Sequence, residues 1–279
     1  MNNFRKPALP FFNTVSGRRI FSLLHSSLSD VVEKKALLVC PPFADEMNKS
    51  RHILTQLSSQ LNQKHCDVLL VDLYGTGDSE GELIDATWEK WCEDIINGMH
   101  WLKAEGYQSI SLLGVRLGAL LVADVLSREG DLIDNVILWQ PVSNGELAMK
   151  QFLRLRTASQ MMEEGSANKS AKELLEALNR DGSIEVAGYD LSFVLFDRVR
   201  SLKLKSFVDA LKKKKCWWLD VVAERGGEPT PASKRVCKEL QEGGVSIKLF
   251  TAEGEPFWST IELGYADELV SKTVDAMSS

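Results

Sequence analysis

The stretch Ser109-Ile-Ser-Leu-Leu-Gly114-Val-Arg116-Leu-Gly118-Ala119-Leu-Leu-Val-Ala-Asp-Val-Leu126 decides the fold. Ser109 to Leu113 reads as a strand, the two glycines bracket a sharp turn, and Leu117 to Leu126 reads as a helix. A strand that turns straight into a helix is half of a βαβ unit, and repeated units of that kind build a mostly parallel sheet.

Moving outward, the same rhythm recurs. Ala36-Leu-Leu-Val-Cys40 is a short continuous apolar run ending at Pro41-Pro42, as burial on both faces of a parallel sheet produces. Ile53, Leu54, Leu57 and Leu61 follow at helical spacing, and Asp67 to Asp72 forms the next strand. Trp88, Trp91, Ile95, Met99 and Leu102 mark one face of a long helix ending near Gly106, and Asn135 to Trp139 is a further strand. At the start, Leu9 to Thr14 and Arg19 to Leu24 flank a Ser-Gly turn and predict an antiparallel edge hairpin. The alternation stops after Pro141. Residues 143–211 read as helical or irregular, with a polar stretch over 163–172, and predict a helical cap inserted over the sheet edge. The rhythm resumes with Cys216 to Val222, a helix from about Pro231 to Leu240, a strand from Val245 to Phe250 and a closing helix from Ile261. The fold class is α/β: one domain over residues 1–279, with a mostly parallel central sheet flanked by helices.

Gly114-Val-Arg116-Leu-Gly118 has the strand–turn–helix setting of a G-x-S-x-G nucleophile elbow, where small flanking residues let the central side chain point up from the sheet. Here that residue is Arg116. A guanidinium stays protonated at any working pH and cannot accept an acyl group. Asp72-Leu-Tyr-Gly75-Thr-Gly77-Asp78-Ser79 also follows a strand, and its glycines permit a tight reversal beside the sheet's carboxyl edge. The loop Cys40-Pro41-Pro42-Phe43-Ala44-Asp45-Glu46 stands where an oxyanion hole draws a backbone N–H. The prolines have none to give, so Phe43 or Ala44 would supply it, alongside Leu117 after the elbow's apex. Asp45 and Glu46 either line this pocket or begin the next helix, where acids favour the positive end of the dipole.

A triad in this order ends with its histidine. His25, His52, His65 and His100 all precede Arg116, and the segment after the last strand reads Glu253-Gly254-Glu255-Pro256-Phe257-Trp258. Glu255 there, and Glu228 in the Gly-Gly-Glu-Pro segment after Val222, fall at the remaining triad positions. The candidates at triad positions are therefore Arg116, Glu228 and Glu255. Either Arg116 is paired internally with Glu228 or Glu255, because a buried charge needs a partner, or its guanidinium receives an external anion.

The 279 residues are 44% apolar and 26% charged, a folded globular composition with room for one large α/β domain. A net charge of -6 gives no general pull toward nucleic acid. The basic run Lys212 to Lys215 lacks interleaved aromatics and reads as a solvated helix end. The five cysteines are scattered, without a C-x-x-C pair or zinc spacing; most read as buried small hydrophobes in a reducing compartment, and no metal or other cofactor is implied. No apolar run approaches the eighteen or so residues that span a bilayer, and residues 1–17 lack a signal-peptide core. The expectation is a cytoplasmic protein.

The segment Asp72 to Ser79 resembles a recurrent segment of α/β-hydrolases. More specifically, the chain resembles exosortase A system-associated hydrolase 2, of the α/β-hydrolase superfamily. The resemblance rests on Pro41 to Arg51, Gly114 to Ala119, Leu138 to Val142 with Gln151 to Arg156, Ala187 to Tyr189, and Gly254 to Trp258. It implies an α/β-hydrolase fold with arginine as part of the elbow pattern. It also implies a bacterial cytoplasmic protein encoded near genes for exopolysaccharide synthesis and PEP-CTERM protein sorting. The word hydrolase in that family's name shows no reaction. Two readings follow. The first is a non-catalytic member whose cleft, around Phe43, Ala44, Arg116 and Leu117, binds a small anion such as an acyl or sugar-phosphate head group, or a protein partner of that system. The second is a hydrolase or acyltransferase acting on an exopolysaccharide or lipid-linked intermediate, with Asp45, Glu46, Glu228 or Glu255 as general base.

Overall fold

The computed structural model describes residues 8–27, 33–164, 171–260 and 262–278. Strands β1 (Leu9–Val15) and β2 (Arg18–His25) form the antiparallel edge hairpin. Next come β3 (Lys35–Cys40), α1 (Asp45–Asn62), β4 (Cys66–Val71), α2 (Trp88–Ala104), β5 (Ser109–Val115), α3 (Gly118–Glu129) and β6 (Asn135–Trp139). Between β6 and the next sheet strand lie α4 (Gly145–Glu164), α5 (Ala171–Asp181), β7 (Ser183–Val186), β8 (Tyr189–Ser192), α6 (Phe193–Ser201) and a single-turn α7 (Val208–Leu211). The chain closes with β9 (Lys215–Val222), α8 (Pro231–Glu242), β10 (Ser246–Glu253) and α9 (Asp267–Ser278).

The main sheet has the order β1-β2-β4-β3-β5-β6-β9-β10. Only β1 and β2 run against their neighbours; the pairings from β4 through β10 are parallel. Alternate residues of the central strands enter two separate cores. Leu38, Leu112, Leu138 and Trp218 pack with α2 and α3, whereas Leu37, Leu113, Ile137 and Trp217 pack with α1 and α9. Both faces are covered, which is why these strands read as unbroken apolar runs.

Two expectations are corrected. The block 143–211 is not only helical or irregular: β7 and β8 form a separate two-stranded antiparallel sheet turning at Ala187-Gly188. Each strand has four residues, too few for period-two alternation to stand out from a helical pattern. The closing helix starts at Asp267, and Ile261 itself lies outside the described residues. Glu255 N–H donates to Tyr265 O at 2.8 Å, which holds the intervening segment as a closed loop. Of the polar stretch 163–172, residues 165–170 lie outside the described residues. Among the described residues no helix is long and apolar enough to cross a membrane.

The Asp72 to Ser79 turn is a polar clip. Both carboxylate oxygens of Asp72 accept from Arg51 on α1 at 2.9 Å, and Oδ2 also accepts from Asp78 N–H at 2.9 Å. Ser79 Oγ donates to Asp72 O and accepts from Phe21 N–H at 2.8 Å. A Cβ on Gly77 would stand 2.0 Å from Asp72 Oδ2, so only glycine lets the loop close this tightly. Asp94 of α2 completes the clip, accepting from Tyr74 N–H at 2.8 Å and Arg18 at 3.1 Å. The segment between β6 and β9 is fastened through Arg198, which donates to Asp124 at 3.0 Å and Glu89 at 3.1 Å. Asp124 is buried but also accepts from Trp88 Nε1 and Arg128, each at 2.8 Å, so its desolvated oxygens are satisfied.

Two predictions follow from this packing. An added methyl at Gly118 would stand 2.1 Å from Cys40 O, a backbone atom that cannot rotate away. Gly118→Ala is expected to cost about 3 kcal/mol or more and lower Tm by roughly 6–12 °C in a thermal melt; an unchanged melt contradicts this packing. Burial holds the Asp94 carboxyl up at about 6 against the pull of Tyr74 N–H and Arg18. A carboxyl raised on folding binds its proton more tightly in the native state, so its contribution is present in acid and is lost as pH rises from about 4 to about 6. The loss is on the order of 3 kcal/mol. Urea melts across that window should show a flatter pH dependence for Asp94→Asn than for the wild type.

Candidate functional site

Arg116 follows β5 and sits at φ 53°, a left-handed conformation that costs a non-glycine residue about 1–3 kcal/mol. Three backbone hydrogen bonds hold it there. Arg116 N–H donates to Trp139 O at 3.0 Å, while its carbonyl accepts from Val142 N–H at 3.0 Å and Ala119 N–H at 3.1 Å. The flanking glycines are required by approach distance, because a Cβ on Gly114 would meet Ala119 Cα at 2.7 Å and one on Gly118 would meet Cys40 O at 2.1 Å. This is the elbow that the spacing predicted. Two further non-glycine residues at the ends of sheet strands share its strain: Ala44 after β3 at φ 53°, and Gln140 after β6 at φ 39°. β3, β5 and β6 are neighbours in the sheet, so these three strained residues stand together at one stretch of its carboxyl edge.

The guanidinium is held from three sides. Nε and one terminal nitrogen donate to the same oxygen of Glu46, at 3.3 and 3.2 Å. The other terminal nitrogen donates to Gln140 O at 3.1 Å. The Trp258 ring lies against the guanidinium, 5.0 Å from its centre, within the range of a cation–π contact. Gln140 is itself pinned. Its N–H donates to Leu219 O at 2.8 Å, and its side-chain oxygen accepts from Val221 N–H at 2.7 Å. That accounts for the Leu138 to Val142 motif: it locks a strained peptide whose carbonyl faces the arginine.

The partner of Arg116 is therefore Glu46, and the expected pairing with Glu228 or Glu255 is corrected. Glu228 is exposed and bonded to Lys234 of α8. Glu255 accepts from Tyr265 N–H at 3.3 Å within its own loop. The loop after β10 reaches the elbow through Trp258, not through Glu255. Glu46 arrives because α1 begins at Asp45, immediately after the Ala44 reversal, so the second helical residue faces the elbow. Asp45 turns away to Lys49 at 2.7 Å. Of the sequence alternatives for this acidic pair, the structure shows the helix start, with Asp45 and Glu46 in the first turn of α1. Trp258 and Gln140 were missed as contact residues, although both stand in the segments that carried the family resemblance. Of the histidines, His52 on α1 approaches the loop after β10, where Nε2 lies 2.7 Å from Gly264 O.

Burial pushes the Glu46 carboxyl above its ordinary range, and Arg116 pulls it back. Burial also drives the Cys40 thiol far upward, which leaves it un-ionised and unsuited to attack at neutral pH. Among the described residues no group of three or more His, Cys, Asp or Glu side chains could hold a metal ion. Phe43, Ala44 and Leu117 line a small apolar cavity with Trp88, Trp91 and Leu121. Its volume of about 10 Å³ is room for one water. Phe152 of α4 packs edge-on against Phe43, ring centres 4.8 Å apart. A wider groove of about 840 Å³ runs from Ala44 between α1, the Gly75–Asp78 turn and the β8 end of the small hairpin. The charge arrangement at the elbow is one cation paired with one carboxylate.

The pair is partly solvated, with 20% of the Arg116 side chain and 30% of Glu46 exposed. Arg116→Ala is therefore expected to cost about 1–2 kcal/mol, between the values for exposed and fully buried pairs. The corresponding fall in Tm is roughly 3–6 °C. A loss above about 10 °C would mean that the arginine is chiefly a structural tie.

Comparison with known proteins places this geometry. The family model described as serine aminopeptidase, S33, matches residues 33–189, more than half the chain. Among solved structures, the chain is similar to Est1E from Butyrivibrio proteoclasticus with ferulic acid bound, at 20% identity and TM-score 0.67, covering 96% of this chain and 97% of that one. It is also similar to the α/β hydrolase GrgF from Penicillium sp. sh18, at 18% identity and TM-score 0.64, covering 97% of each chain. No curated protein matches the sequence. The matched region spans β3, the elbow and the turn of the small hairpin, the eight-stranded sheet is shared with these α/β hydrolases, and the chain belongs to the serine aminopeptidase S33 family, with arginine where the fold presents its nucleophile.

Proposed function

We propose that this protein is an α/β hydrolase relative without serine-hydrolase activity, whose elbow binds an anionic ligand through Arg116. The observation that carries the reading is the left-handed apex at Arg116, the position from which an elbow presents its nucleophile, filled by a residue that is always cationic. The guanidinium stands at the N-terminal end of α3, where the dipole already favours negative charge, and Gln140 and Trp258 hold it ready. A carboxylate or phosphate, as in an acyl or sugar-phosphate head group, has the matching chemistry. The elements between β6 and β9 would serve as the cap over this cleft. In line with the family resemblance, the setting we propose is the cytoplasm of a bacterium with an exosortase, PEP-CTERM and exopolysaccharide system. A protein of that system is the alternative occupant of the cleft.

A second reading, a hydrolase or acyltransferase with Glu46 as general base and Arg116 as anion stabiliser, draws on the raised titration of Glu46 beside the arginine.

The purified protein should resist labelling by a fluorophosphonate and leave short activated esters intact. Arg116→Ser should also remain inactive, because a serine hydroxyl needs a neighbouring base and, among the described residues, the side chains that contact the elbow include no histidine. Native mass spectrometry of the purified protein should retain an anionic ligand that Arg116→Gln loses. Ester turnover by the wild type that vanishes in Glu46→Gln would replace the binding reading with the enzymatic one.

A further inference from the structure

We propose that Glu46 is an internal occupant of the anion site at the elbow, displaced when a monocarboxylate binds Arg116; this rests on the anion-binding reading above. Two helices start beside the guanidinium, α3 at Gly118 and α1 at Asp45, and the dipole of each favours negative charge at that end. One carboxylate of the chain's own answers the guanidinium. It does so through a single oxygen, Oε1, which receives both Nε and a terminal nitrogen of Arg116. A two-oxygen fork, the stronger geometry for this pair of groups, is not made. The arginine does not depend on Glu46 for its position, because Gln140 O and the Trp258 ring hold the guanidinium from other sides. Removing the glutamate carboxylate thus leaves the cation aimed and short of one acceptor.

Glu46 is also reachable, with 30% of its side chain exposed. Ala44, two residues before it, borders both the apolar cavity and the wider groove. A monocarboxylate replaces this side chain charge for charge and can set an apolar tail against Trp258, whose ring already lies on the guanidinium. A dianion would add a second negative charge close to Asp45. The tether gives Glu46 an effective concentration of order millimolar or higher, so it suppresses weak anions and admits only a ligand with further contacts. Glu46 is then a specificity-determining residue.

The test is calorimetric titration of the full-length protein with sodium butyrate and, separately, inorganic phosphate. Wild type, Glu46→Gln, Glu46→Ala and Arg116→Gln are compared at fixed ionic strength, each checked by thermal melt. Butyrate should bind both Glu46 variants at least tenfold more tightly than the wild type, exceed phosphate in affinity, and not bind Arg116→Gln. Equal butyrate affinity in the wild type and the Glu46 variants, lost in Arg116→Gln, would overturn the competition while leaving the anion site intact. Binding that survives Arg116→Gln, or binding in none of the proteins, would overturn both readings. Preference for phosphate would overturn the monocarboxylate assignment. If the Glu46 variants do not fold, the ¹³C resonance of the Glu46 carboxyl in the wild type decides: it should shift as butyrate saturates, and saturation without a shift removes the proposal.

Discussion

Helix α3 starts so close to the ends of β3 and β5 that Gly118 lies against Cys40 O and Gly114 against Ala119, with no room for a methyl at either place. That contact makes the sharp turn between them. The turn forces the residue at its apex into a left-handed backbone and projects its side chain above the sheet. Everything assembled around the elbow answers the question of what that projected side chain can be allowed to carry.

Here it carries a permanent positive charge, placed at the start of a helix whose own dipole disfavours cations. Three groups compensate. Gln140 supplies a carbonyl from a strained peptide, Trp258 an aromatic face from the loop after β10, and Glu46 a carboxylate from the first turn of α1. In a serine-triad relative the corresponding loops would bring a base and an acid to an activated hydroxyl. Here Glu228 and Glu255, which fall at triad positions in the sequence, make local contacts instead, to Lys234 and to Tyr265 N–H.

The rest of the fold keeps this edge rigid. The Asp72 clip joins β2, β4 and α1 just beside the helix turn that delivers Glu46. Asp124 gathers Trp88, Arg128 and Arg198 and so ties α2, α3 and α6 together through one carboxylate. Phe152 against Phe43 then closes the apolar side of the cleft. Rigid surroundings of this kind are what allow three strained residues to persist at one edge.

Read alone, the sequence determined the βαβ rhythm, the edge hairpin, the elbow and the mismatch of its central residue with acyl chemistry. These are local matters: apolar runs, glycine spacing and the fixed charge of arginine are written in short segments. The β7–β8 hairpin escaped it because four-residue strands have no legible period, and the late start of α9 because Tyr265 bonds back to Glu255 across a loop. Which carboxylate meets Arg116 was a question only tertiary structure could decide. Glu46 lies seventy residues before the arginine, on a different sheet crossover, and its side chain faces the elbow only because Ala44 reverses the chain at the helix start. Ion pairing acts through space and is indifferent to chain order, so the partner of a charge is fixed by which strand ends the sheet sets side by side.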